Sequence, residues 1–148
     1  RCAGFEEGIT AGGGTVEQLV VDLNNPTEAQ QRIDAALTEN PDINGIMALG
    51  PAGATPAIMA VQDAGVTDTV KIATFDLSPE VLAGIQDGTV LFAIDQQQYM
   101  QGYLPIVFLT LYQRNGNTVA QDIVMTGPGF VDASNVDLVV DLTEAGTR

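Results

Sequence analysis

Residues 43–94 read INGIMALGPAGATPAIMAVQDAGVTDTVKIATFDLSPEVLAGIQDGTVLFAI, and this stretch decides the fold. Three short apolar runs, Ile43–Leu49, Lys71–Phe75 and Val90–Ile94, have the length and composition of buried strands. Between the first two, Gly50–Gly53 reads as a turn and Thr55–Ala64 as a helix ending at Gly65. Between the second and third, Ser78 caps a helix that Pro79 opens, that runs through Gln86 and that Asp87-Gly88 stops. Strands separated by single helices, recurring about every 20–25 residues, are βαβ units on a parallel sheet.

The flanks extend the plan. Upstream, Gly4–Ala11 reads as the tail of a helix closed by Gly12-Gly13-Gly14, and Val16–Leu23 (VEQLVVDL) reads as a strand. Asn24-Asn25-Pro26-Thr27 starts a helix over Thr27–Glu39, in which Ala29, Ile33, Ala36 and Leu37 share one face. Downstream, Asp95–Gln98 is polar, and Tyr99–Gln113 is a helix so apolar that it must be covered on most sides. Gln121–Met125 reads as a short strand, Thr126–Gly129 as a hinge-like turn, and about Ser134–Glu144 as a weak last helix.

Composition excludes several classes of function. The 148 residues carry 5 Lys and Arg against 19 Asp and Glu, a formal net charge of −14. The basic residues, Arg1, Arg32, Lys71, Arg114 and Arg148, are scattered, so no basic stripe exists to neutralise phosphates. Nucleic acid and anionic membranes are not expected partners. Histidine is absent, which removes the commonest general base and metal ligand. The single cysteine, Cys2, cannot form an internal disulfide or a multi-thiolate site. The apolar run Tyr103–Tyr112 is far shorter than a membrane span of about 20 residues. The chain starts at Arg1 with neither Met nor a leader, as a piece cut from something longer would.

Ligands of open parallel sheets bind beyond the carboxyl ends of the strands. That rule picks out Gly50–Gly53, Asp76 and Asp95–Gln97 as one polar rim, suited to the hydroxyls of a polyol. Each has a plainer reading: a tight turn for Gly50–Gly53, a helix cap or Asx turn for Asp76, a solvated loop for Gln96. Gly50-Pro51-Ala52-Gly53 lacks the Lys of a phosphate loop, and neither Ser78 nor Ser134 sits in a nucleophile elbow. No catalytic residue, metal or cofactor is expected. The rival enzyme reading is a Mg²⁺ site using Asp76 and Asp95.

These motifs resemble the periplasmic sugar-binding proteins of the ribose-binding type, the receptors of ABC transporters. Arg1-Cys2-Ala3-Gly4-Phe5 resembles the family's Arg-x-x-Gly-Phe helix, and Ile46–Gly65 its strand, ligand loop and alanine-rich helix. Thr74-Phe75-Asp76 with Ser78-Pro79-Glu80 resembles its Gly-Phe-Asp motif. Ile85–Gly88, Val90–Gln96 and Gln101-Gly102-Tyr103 resemble the stretch with its hinge glutamine. Four motifs in register over about 100 residues make the likeness fairly specific. It implies an incomplete α/β, doubly wound, three-layer αβα lobe of the periplasmic-binding-protein type I fold.

The resemblance also implies domains and roles. Residues 1–95 would be the second lobe without its first strand–helix–strand, 96–128 a crossover and a helix belonging to the first lobe, and 129–148 the return. Arg1 and Asp76 would be the charged sugar ligands and Gln96 the hydrogen-bonding residue at the crossover. Gly50 and Pro51 would line the ligand loop with backbone alone, where the family usually has Asn or Asp, which leaves the identity of the sugar open. Partners would be a sugar or polyol and ABC-transporter membrane subunits, in the periplasm or on a cell-surface lipoprotein. The helix at 99–114, without the first lobe, would fold back, wait for the rest of the receptor, or pair with a second copy as a homodimer. The same fold serves receptors for a quorum-sensing signal and ligand-sensing domains of LacI-type regulators, which stay open as alternatives.

Overall fold

The computed structural model describes residues Arg1–Arg148. Its elements run α1 (Cys2–Ala11), α2 (Pro26–Glu39), β1 (Gly45–Ala48), α3 (Pro51–Asp63), β2 (Lys71–Phe75), α4 (Pro79–Asp87), β3 (Val90–Asp95), α5 (Gln98–Asn115), β4 (Gly129–Asp132), a 3₁₀ turn (Val136–Leu138) and α6 (Val140–Glu144). The sheet order is β1-β2-β3-β4. β1, β2 and β3 are parallel, and β4 returns antiparallel to β3, with Asp95 opposite Gly129.

Local signals explain most boundaries. Asn25 accepts from the Glu28 N–H at 3.2 Å at the head of α2, with Pro26 in its first turn. Ser78 accepts from the Val81 N–H at 3.2 Å at the head of α4, and Gly88 ends that helix at φ 84°. α3 and α4 pack on the sheet through Ala54, Ala57, Val61, Val81, Leu82 and Ile85, meeting Ile72 and Val90 in one core. The packing is tight enough to demand glycine at position 84. A Cβ there would stand 2.8 Å from Val90 Cγ2 and 3.3 Å from Ile58 Cδ1.

Four sequence expectations need correction. Val16–Leu23 is not a strand: it runs unpaired beside α2, with Val20 76% exposed. Strand preference reflects fit to a half-buried pleated surface, and no neighbouring strand offers one here. Gly50–Gly53 is not a separate turn but the start of α3, with Gly50 at the N-cap and Pro51 in the first turn. Gln121–Met125 is irregular and exposed, and the strand that returns to the sheet is β4 instead. Ser134–Glu144 divides into the 3₁₀ turn and the short α6.

α5 has no buried residue; Ile106 and Leu109 are 65% and 64% exposed. Total accessible surface is 9444 Å². A monomeric protein of 15.5 kDa exposes about 7,200 Å². The excess of roughly 2,200 Å² matches one side of an obligate interface. No helix is long and apolar enough to cross a membrane.

Candidate functional site

β2 ends at Phe75, and Asp76 follows with φ 65°, a left-handed turn that a short polar side chain tolerates. The Asp76 N–H still donates to Ile94 O at 2.9 Å, so the sheet holds this residue after the strand has ended. Ser78, not Asp76, caps α4, which leaves the Asp76 carboxylate free of that duty. Its Oδ1 accepts from Gln96 Nε2 and from Gln98 Nε2, each at 2.5 Å. Its Oδ2 lies 3.9 Å from Arg1 Nη2. The Arg1 Nη1 donates to Leu49 O at 2.5 Å, and the guanidinium lies over the Phe75 ring, 4.3 Å from its centroid. The rim therefore pairs one cation with one anion, and both remain partly exposed, Arg1 at 38% and Asp76 at 21%.

The turn between β3 and α5 aims the glutamines. Asp95, fully buried at the end of β3, accepts from the Gln97 N–H at 2.7 Å, and Gln97 takes a left-handed φ of 56°. Gln96 O accepts from Thr126 Oγ1 at 2.8 Å and Gln101 Nε2 at 3.0 Å, while Gln97 Nε2 donates to Thr126 O at 2.8 Å. With its carbonyl and its neighbour tied to the returning chain, the Gln96 side chain is left to meet Asp76. Gly127 permits that approach. A Cβ there would sit 3.0 Å from Asp95 O and 3.3 Å from Gln96 Cα.

Arg1, Asp76 and Gln96 thus come together at the carboxyl ends of β2 and β3, and Arg1 ties in the β1 end through Leu49 O. Gly50 joins the rim as the next residue; Pro51 has no N–H to offer it. Sequence reading missed Gln98, which ends the polar run Asp95–Gln98 and begins α5, and the ring of Phe75 beneath Arg1. The Mg²⁺ reading fails on geometry. Asp95 is buried, with one oxygen on Arg148 Nε at 2.7 Å and the other on the Gln97 N–H. No group of three His, Cys, Asp or Glu side chains is placed to hold a metal ion. The one carboxylate with a clear pKa shift lies away from the rim: Asp132 is held below its ordinary value, chiefly by the Ser134 hydroxyl and also by the Ser134 N–H.

A family model described as periplasmic binding protein domain matches residues 1–117. The xylose/arabinose-binding protein XylF of Sulfolobus acidocaldarius is 31% identical over 116 residues, 74% of this chain and 29% of that protein. A crystal structure of a carbohydrate transporter from Acidothermus cellulolyticus 11B, in complex with myo-inositol, is 42% identical, with a TM-score of 0.81 over 91% of this chain and 47% of that one. The Caulobacter myo-inositol binding protein, at 23% identity and a TM-score of 0.77 over 97% of this chain and 49% of that one, shares the fold. The chain spans under a third of its curated relatives and about half of these solved structures.

Proposed function

Because this chain belongs to the periplasmic binding protein domain family, whose named relatives bind sugars rather than transform them, we propose that it supplies one wall of a sugar- or polyol-binding cleft. In this reading residues 1–95 belong to the second lobe, 96–128 to the crossover and a helix of the first, and 129–148 to the return. The exposed apolar side chains of α5, Ile106 and Leu109 among them, form the face that meets the first lobe. When that lobe is absent, a second copy of the chain covers it.

The carrying observation is the convergence of Asp76 with Arg1 and Gln96 on one rim. A neutral polyol suits it: carboxylate oxygen accepts from hydroxyls, guanidinium and amide donate to them, and the paired charges repel neither face of an uncharged ring. Gly50 contributes backbone alone at its loop. The 42% identical transporter, crystallised with myo-inositol, makes a cyclic polyol the first ligand to try. Closure of two lobes about the crossover at Gln96–Gln97 and Thr126 would present the loaded form to the membrane subunits of an ABC importer. An exported receptor, periplasmic or anchored at the cell surface, fits that task.

The test is titration calorimetry of the two-lobed receptor with myo-inositol, pentoses and hexoses, comparing wild type with Asp76→Asn. Asp76→Asn keeps the shape and removes the charge, so affinity should fall at least about tenfold, the worth of one hydrogen bond to a charged group. Absence of binding to any polyol, or unchanged binding by Asp76→Asn, would refute the reading.

A further inference from the structure

We propose that Gln98 is a positioning residue that sets which hydroxyls the site accepts, by closing one oxygen of Asp76 to the ligand. This rests on the polyol reading above and deepens it. A carboxylate oxygen has two lone pairs, and both on Oδ1 are taken, by Gln96 Nε2 and Gln98 Nε2 at 2.5 Å each. Only Oδ2 remains open. It faces Arg1 Nη2 across 3.9 Å, too far for a direct hydrogen bond. One hydroxyl oxygen placed about 2.8 Å from each atom bridges that gap, donating to Oδ2 and accepting from Arg1. The carboxylate therefore reads hydroxyls through Oδ2 alone, and the one set against Arg1 both donates and accepts. An ether oxygen, which cannot donate, is rejected there.

Gln98 is suited to this because it belongs to a different element from its target. It is the first residue of α5, on the far side of the crossover from β3, and it reaches back 22 residues in sequence to Asp76. Gln96 alone would leave Oδ1 one lone pair for a further ligand hydroxyl. The third glutamine of the run removes it. Gln98 is exposed and supports no core, so its replacement leaves the fold intact.

The experiment uses the two-lobed receptor, myo-inositol and its six monodeoxy derivatives, in wild type, Gln98→Met, Asp76→Asn and the double variant. Met matches the length of Gln and suits a helix while donating nothing. Wild type should show at most two deoxy positions, those Oδ2 can accept from, whose loss is coupled to Asp76→Asn. Gln98→Met should bind myo-inositol about tenfold more weakly, through a less restrained carboxylate, and a further deoxy position should become coupled to Asp76. A purely structural role for Gln98 would weaken binding without changing the set of coupled positions. An unchanged set of coupled positions overturns the proposal, and so does tighter binding by Gln98→Met, which would make the amide a competitor of the ligand. In both cases the Asp76→Asn loss leaves the polyol reading standing. If wild type binds no polyol, both fall together.

Discussion

Arg148 Nε donates to Asp95 Oδ2 at 2.7 Å, joining residues 53 apart in sequence around a carboxylate with no solvent exposure. The other oxygen of Asp95 holds the Gln97 N–H, so the same pair fixes the bend that turns Gln96 toward Asp76. A buried charge left without its partner costs far more than a pair removed together. Because Arg148 is 32% exposed, we expect Arg148→Ala to destabilise by about 1–3 kcal/mol, below the range for fully buried pairs. Arg148→Ala with Asp95→Asn should recover part of that loss in urea unfolding. Additive losses would mean that the pair carries no coupling.

Core packing gives a second prediction. Gly84→Ala forces a methyl to within 2.8 Å of Val90 Cγ2, inside van der Waals contact, and its other near neighbour is Ile58 Cδ1. Overpacking of this kind costs about 1–3 kcal/mol. Val90→Ala removes the clashing methyl, so the Gly84→Ala/Val90→Ala double variant should be more stable than the sum of the single losses. Midpoints from thermal unfolding decide it.

The same packing shows what was legible in the sequence. β2 matches its expectation to the residue because Ile72 and Thr74 alternate with half-buried neighbours and Asp76 closes the run. α4 was equally plain, since Ser78, Pro79 and Gly88 mark both ends by local chemistry. Val16–Leu23 has as much strand character, but a strand exists only against a neighbour, and sequence does not say which neighbour is there. Gly50-Pro51 shows the opposite error. The pair reads as a turn, yet a proline at a helix start replaces an N–H that has no partner anyway. At the rim, Asp76, Gln96 and Arg1 were legible through strand ends and motif likeness. Gln98 was not, because its contact with Asp76 spans 22 residues of sequence and no periodicity reports it.

Acid should act on Asp132 in a defined direction. Its folded pKa lies below the ordinary value of 3.8, first because the Ser134 hydroxyl donates to it and then because the Ser134 N–H does. A carboxylate with a depressed folded pKa contributes stability that is complete above its unfolded value. That contribution is lost as pH falls from there through the folded value. Ser134→Ala removes the larger cause and keeps the smaller. The Asp132 carboxyl carbon, followed by NMR through the acid range, should then titrate closer to 3.8 without reaching it. Unaltered titration would show that the hydroxyl contact has no electrostatic effect.

The exposed face of α5 makes the last prediction, and charge makes it clean. A chain of formal charge −14 repels its own copies, so association at moderate salt must come from apolar burial. Ile106 and Leu109, one turn apart on α5, are both nearly two-thirds exposed, and burying each contributes about 1 kcal/mol. Across two copies four such side chains amount to about 4 kcal/mol, roughly a thousandfold in Kd. Ile106→Lys with Leu109→Lys adds two positive charges, taking the chain from −14 to −12, so general repulsion falls rather than rises. Light scattering should therefore show concentration-dependent dimers for the unaltered chain and monomers for the double variant, with the unfolding midpoint little changed because neither side chain supports the core. Dimers that persist in the variant would place the interface elsewhere, the exposed apolar segment around Ile123 and Met125 being the next surface to charge.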